Sequence, residues 1–264
     1  MLEVKHVSKT FNPGTVNEKK ALDDISLRLE DGDFVTVVGG NGAGKSTLLN
    51  MIAGVCPIDC GHIVLNDKEI STDPEYKRAR FIGRVFQDPL MGTAGDMAIY
   101  ENMAMANRRG KPRGLRWNVT AQEKEDFKSQ LARLGLGLED RLTAKVGLLS
   151  GGQRQALTLL MASLQRPELL LLDEHTAALD PLTARKVLEL TEEIVQEEHL
   201  TTLMITHNMN DAIRIGNRLI MMYDGKIILD VRDEEKQKLT VEALHQKFRE
   251  AANEEFSDDR AVLI

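Results

Sequence analysis

A chain of 264 residues with 42% hydrophobic and 28% charged residues has the composition of an ordinary globular protein able to bury one large core. Its net charge of −7 argues against a basic, phosphate-neutralising face, so no nucleic-acid partner is expected. No apolar run approaches the roughly 20 residues that cross a bilayer, and Met1-Leu2-Glu3-Val4-Lys5 lacks the basic start and apolar stretch of a signal peptide. A cytosolic protein is expected, with any membrane role passing through a partner.

In chain order, the first thirty residues read as antiparallel strands. Val4, Leu22, Ile25, Leu27 and Leu29 alternate with polar residues, and Asp31-Gly32 makes a turn. Phe34-Val35-Thr36-Val37-Val38 is a nearly continuous apolar run, the pattern of a strand buried on both faces. A glycine-rich loop follows, then a helix through Ile52 and Ala53 closed by Gly54. Cys56 and Cys60 stand near His62 in a stretch that reads as a loop; with no fourth ligand evident, reduced and unpaired thiols are expected. His62 to Leu65 and Ile70 flank a turn at Asn66-Asp67, predicting a hairpin. From about 88 to 147 helical patterns take over, around 98–107 and 121–134. Between them lies a loop, Arg108 to Trp117, carrying Arg108, Arg109, Lys111, Arg113, Arg116 and the only tryptophan. Strand character returns at Leu169-Leu170-Leu171-Leu172, at Leu203-Met204-Ile205-Thr206, and in a hairpin turning at Asp224-Gly225. Strands alternating with helices predict a mostly parallel sheet. The expected organisation is an α/β domain over 1–230 with a helical subdomain inserted at about 88–155. A short tail, 231–264, carries one amphipathic helix near 241–252.

Gly39-x4-Gly44-Lys45-Ser46 sits between a buried strand and a helix start. Glycines there let successive N–H groups point at phosphates, Lys45 reaches the β- and γ-phosphates, and the Ser46 hydroxyl binds Mg²⁺. The leucine strand ends in Asp173-Glu174, which suits a Mg²⁺ ligand followed by a general base. Ser150-Gly151-Gly152-Gln153 opens an apolar helix with a capping box. Two glycines in a first turn cost about 1 kcal/mol each, which capping alone does not require. Close approach of an anion to bare N–H groups does, and a second chain's phosphate is the simplest candidate.

These residues together resemble the ATP-binding-cassette (ABC) ATPases across nearly the whole chain. Gly39, Asn41, Gly42, Ala43, Gly44, Lys45, Ser46 and Thr47 match the Walker A loop, and Leu149 to Gln153 match the signature motif. Leu169 to Glu174 match Walker B, Gln87 the Q-loop, Asp180 the D-loop and His207 the switch histidine. The resemblance implies a P-loop NTPase (RecA-like) core with an N-terminal antiparallel β subdomain and an inserted helical subdomain. It implies ATP and Mg²⁺ as cofactors, Phe11 stacking on adenine with Val16 beside the nucleotide, and Gln87 linking Mg²⁺ or the attacking water to a permease. His207 is implied to bond the γ-phosphate and Asp180 to run along a homodimer interface. A groove beside Gln87 is implied to take a permease helix, holding the chain at the cytoplasmic side of the membrane. Catalysis is implied for Glu174, His207, Gln87 and Lys45, with Ser46, Gln87 and Asp173 as metal ligands. One departure is His175, where the family has proline. The stretch Leu172 to Asp180 resembles a subgroup of bacterial importer ATPases that accompany binding lipoproteins proposed for tryptophan or tyrosine. An exporter ATPase is the alternative, and a non-transport ABC protein a more distant one.

Overall fold

The computed structural model describes residues 1–111 and 119–261, the side chains of 253–261 excepted. The chain begins β1 (Leu2–Phe11), β2 (Lys19–Leu29), β3 (Phe34–Gly39), α1 (Lys45–Ala53), β4 (Cys60–Leu65), β5 (Lys68–Glu69), α2 (Glu75–Arg78) and β6 (Ile82–Val85). It continues with α3 (Ile99–Asn107), α4 (Ala121–Ala132), α5 (Gly151–Ser163), β7 (Leu169–Asp173) and α6 (Pro181–Glu197). The last elements are β8 (Thr202–Ile205), α7 (Met209–Arg214), β9 (Arg218–Tyr223), β10 (Lys226–Arg232), α8 (Asp233–Gln237) and α9 (Val241–Ala261). Contacts divide the chain into two units: Met1–Glu75 with the chain from Thr201 onward, and Tyr76–Leu200.

In the first unit, β2, β1, β4 and β5 form an antiparallel sheet in that order, with Leu2 opposite both Leu29 and Leu65. Ile25, Leu27 and Leu29 point into the core at the period of two, and Leu22, three residues before Ile25, joins them across a register shift at Asp24, where φ is 54°. The strands β10, β9, β3 and β8 lie side by side, with β3 parallel to both neighbours and Val37 opposite Ile205 and Ile220. A strand with parallel partners on both edges and buried faces needs the unbroken apolar run seen in β3. Both predicted hairpin turns form: Asn66-Asp67 and Asp224-Gly225 all have positive φ, which two-residue hairpins of this hand require.

Two expectations change here. Cys60 belongs to β4, not to a loop, because the strand pairs with β1 through Ser8–Cys60; His62, opposite Lys5, lies on the same strand, as the predicted hairpin has it. His62 Nδ1 lies 2.8 Å from Glu69 Oε1, and no cluster of three or more His, Cys, Asp or Glu occurs among the described residues. The terminal helix also runs further than the apolar pattern, to Ala261. Leu244 anchors it, fully buried against Val38, Ala212, Leu219 and Met221, and Phe248 meets Tyr223 edge-on at 5.3 Å.

In the second unit β6 and β7 pair in parallel, Ile82 with Leu169 and Val85 with Leu172. The strand β6 is silent in the sequence pattern because Gly83 and Arg84 interrupt its four residues. Gly83 is there for space: a Cβ would stand 2.8 Å from the Ala162 carbonyl oxygen. Helices α3 and α4 form where the periodicity places them, and α5 is buried along most of its length. The long amphipathic α6 starts at Asp180-Pro181, an N-cap followed by proline at the first helical position. No helix among the described residues is long and apolar enough to cross a membrane.

Leu244→Ala is expected to lower unfolding stability by about 2–5 kcal/mol, the usual cost of such a cavity. A urea midpoint equal to that of the unaltered chain would show that α9 does not contribute to the core.

Candidate functional site

The loop between β3 and α1 is held from several sides within the first unit. A Cβ on Gly39 would overlap the Met222 carbonyl, and Gly44, at φ 97°, has the Ala21 carbonyl and Leu22 against it. The Gly225 N–H donates to the Ala43 carbonyl at 3.1 Å, tying the β9–β10 turn to the loop. Gly44 is the N-cap of α1 and supplies no side-chain cap, and the first turn contains no acid. Helix starts commonly take a side-chain oxygen from the N-cap residue; this one has a glycine there, which leaves the backbone at the helix start open to close approach. Lys45 is 5% exposed, and its ammonium donates to the Gly39 and Gly40 carbonyls at 2.8 and 3.0 Å. Those bonds hold a positive charge inside the loop.

Around it, Asn41, Gly42 and Ser46 are exposed, Thr47 is half-buried and Ala43 is buried. Phe11 is 39% exposed, not a core residue, with the Lys9 ammonium 5.7 Å from its ring centre. Val16 is fully exposed. His207 is exposed immediately beyond β8, and the next residue, Asn208, caps α7. Lys19 was not legible as a site residue: its ammonium lies 2.9 Å from where a Cβ on Gly42 would stand. A lysine at a strand start twenty residues before the loop carries no sequence signal of its own.

The second unit holds the carboxylates and the second glycine segment. Asp173 ends β7, and Arg84 from the neighbouring strand β6 donates to its Oδ2 at 3.4 Å. The same guanidinium stacks 4.6 Å from the Phe86 ring centre. Arg84 was also missed, since only strand pairing sets it beside Asp173. Gln87 is exposed just past β6, where the fully buried Gln155 donates to the Phe86 carbonyl at 3.1 Å. Glu174 has φ 47°, uncommon for a residue with a Cβ and a conformation that recurs at functional turns.

His175 is 2% exposed and lies 3.0 Å from the Thr191 hydroxyl, which itself donates to the Val187 carbonyl. The ring Nε2 therefore carries the hydrogen. Burial lowers the His175 pKa to about 4. Position 175, the departure from the family pattern noted in the sequence, holds a neutral, hydrogen-bonded ring.

At the signature segment Ser150 and Gln153 form the predicted capping box: the Gln153 N–H donates to the Ser150 hydroxyl and the Ser150 N–H to the Gln153 side chain, both at 3.2 Å. The reason for its glycines shifts. A Cβ on Gly152 would overlap the Thr183 methyl at the start of α6, so intrachain packing alone demands glycine there. Gly151 is less constrained, with Leu179 at 3.3 Å from a Cβ, and it remains exposed. Asp180 caps α6, and hydrogen bonds from the Thr183 hydroxyl and N–H hold its carboxyl below the usual range.

Two outcomes follow from this packing. Gly152→Ala is expected to impair folding or displace the α5 start, and adding Thr183→Ser, which removes the obstructing methyl, is expected to recover much of the loss; circular dichroism and thermal melts check both. Because His175 is neutral when folded and titrates near 6.5 when unfolded, unfolding takes up a proton between those values. Its contribution is complete above pH 6.5 and is lost as pH falls toward about 4, on the order of 3 kcal/mol in all. His175→Gln, which keeps a donor to Thr191, is expected to flatten stability over that window in urea titrations.

The family model described as ABC transporter matches residues 22–177. The chain is 46% identical over 252 residues to a tyrosine transport ATP-binding protein of Clostridioides difficile, covering 95% of this chain and 100% of the relative. It is 34% identical to the carnitine transport ATP-binding protein OpuCA of Listeria monocytogenes, over 89% of this chain and 56% of that longer protein. Among solved structures, a dimeric ATP-binding cassette in a post-hydrolysis state bound to ADP and Pi is 27% identical, with TM-score 0.75, covering 88% of this chain and 98% of that one. With a strand-loop-helix phosphate loop and the cassette fold in place, the chain belongs to the ABC transporter family as an ATP-binding, ATP-hydrolysing subunit.

Proposed function

We propose that this chain powers an importer of an aromatic amino acid, tyrosine foremost. The observation that carries the proposal is the end-to-end similarity to a tyrosine transport ATP-binding protein. Two copies act together on two ATP, driving a separate membrane permease from its cytoplasmic side, and a substrate-binding lipoprotein delivers the cargo. The dimeric state of the solved relative supports the pairing. Leu90, Met91 and Met105, all large and exposed in the second unit, support a docking surface beside Gln87 for a permease helix.

The proposed division of labour follows the local chemistry. The glycine-rich turn at the start of α1 and Lys45 hold the phosphates, Phe11 and Val16 meet the nucleotide base, and Lys19 adds a cation beside the loop. Ser46, Asp173 and Gln87 are the Mg²⁺ ligands; a hydroxyl, a carboxylate and an amide oxygen are the hard donors this ion takes. The ion supplies charge neutralisation at the phosphates. Arg84 orients the Asp173 carboxylate. Glu174 takes the proton of the attacking water as its oxygen bonds the γ-phosphorus, and the bond to the bridging oxygen of ADP breaks. His207 bonds the γ-phosphate. Ser150, Gly151, Gly152 and Gln153 serve the nucleotide of the other copy, with Asp180 near the shared interface.

Lys45→Ala is expected to abolish ATP binding, whereas Glu174→Gln keeps binding, stops hydrolysis and accumulates a dimer on size exclusion. Wild-type turnover by the Glu174→Gln protein would remove Glu174 as the base. Ser150→Arg is expected to stop hydrolysis while the monomer still binds ATP, and mixing it with Lys45→Ala restores activity that neither has alone. Deleting the gene is expected to reduce uptake of labelled tyrosine, unrestored by Glu174→Gln. Unchanged tyrosine and tryptophan uptake, with a defect in another solute or in efflux, would overturn the cargo and direction.

A further inference from the structure

The second unit carries a cavity of about 670 Å³ whose wall includes Tyr76, Arg80, Arg108, Arg109 and Lys111. Four cations around one hollow stand out in a chain of net charge −7. The backbone builds the hollow. Beyond α3 the Lys111 N–H donates to the Arg108 carbonyl at 3.2 Å, and Gly110, at φ 74°, turns the chain close over Arg80, with 3.4 Å between the Arg80 Cβ and a Cβ placed on the glycine.

Only one of these cations has a carboxylate. Arg108 lies 3.6 Å from Glu123, while Arg80, Arg109 and Lys111 meet none among the described residues. Arg109 is the telling member. Its Nη2 donates to the Ala162 carbonyl at 2.9 Å, its Nε is buried with no hydrogen-bond partner among the described residues, and burial lowers its pKa. A cation taken from water without a counter-ion is costly, and the remedy is an anion. The carbonyl end of α3 attracts Arg108 and Arg109 on its own account. That attraction does not explain the arrival of Arg80 from beyond α2.

We propose that this hollow is a binding site for a phosphate ester, filled by the headgroup of an anionic phospholipid. Guanidinium forks match phosphate oxygens two at a time, and the volume admits a headgroup as well as the phosphate itself. The choice of a lipid over a free phosphate ester rests on the proposed work at a membrane face; the anion site itself does not.

The test floats the full-length chain, without permease, on phosphatidylcholine vesicles with and without phosphatidylglycerol. Arg80→Glu with Lys111→Glu is expected to lower the anionic-vesicle-bound fraction on the order of tenfold. Lys128→Glu with Lys238→Glu, an equal change in net charge elsewhere, is expected to leave it near wild type. A second arm uses inorganic pyrophosphate in a Lys45→Ala background, which silences the phosphate loop. It is expected to raise the melting temperature, and the Arg80 and Lys111 reversals are expected to remove that rise. No vesicle binding with the pyrophosphate effect intact would keep the site and replace the lipid by a soluble phosphate ester. Neither effect, or equal loss in the Lys128 and Lys238 control, would overturn the site. ATPase activity of the Arg80 and Lys111 variant is expected to match wild type, so a chain lacking ATPase activity altogether would count against the proposed function alone.

Discussion

The loop between β3 and α1 is built around an α-helix that starts without a side-chain cap. At Gly44 the backbone turns left-handed with carbonyls and side chains close on either side, and the glycine offers no side-chain cap to the first turn of α1. A start without a side-chain cap is less favourable in isolation than a capped one. The surrounding packing compensates: β3 is fixed between parallel neighbours, the β9–β10 turn bonds Ala43, and β2 supplies Ala21 and Leu22.

The other helix starts in the motifs make an instructive contrast. Ser150 and Asp180 each accept an N–H of the helix they begin, so α5 and α6 are complete as helices. Their polar side chains are already engaged within the chain, and the glycine at 152 is needed to let α6 approach. A motif that reads as ligand chemistry is therefore also a packing device. What remains available at α5 is its exposed first turn around Gly151.

Near Glu174 the same economy appears in another form. The carboxylate strand ends between Arg84, which reaches Asp173, and His175, which is pulled inward to Thr191. Replacing the family's proline with a buried neutral imidazole swaps a rigid ring for a hydrogen bond to α6, and the Glu174 backbone stays in its left-handed conformation. The turn at Glu174 is then tied to α6 through one hydrogen bond, from a ring that burial keeps neutral down to about pH 4.

The sequence by itself determined the elements whose signal is local. Apolar runs marked β3 and β7, glycine spacing marked the phosphate loop, Asp224-Gly225 marked its hairpin, and Ser150 with Gln153 marked a capped helix start. Each depends on residues within a few positions, where steric and hydrogen-bonding preferences act directly. Tertiary structure alone decided the rest. It put Cys60 on a strand through pairing with β1, placed Lys19 beside Gly42 and Arg84 beside Asp173, and carried Arg80 to the end of α3. It also gave Gly152 a steric reason that no local pattern holds. Those facts depend on residues far apart in the chain, whose meeting is set by strand register and helix packing, and neither is written in the residues taken singly.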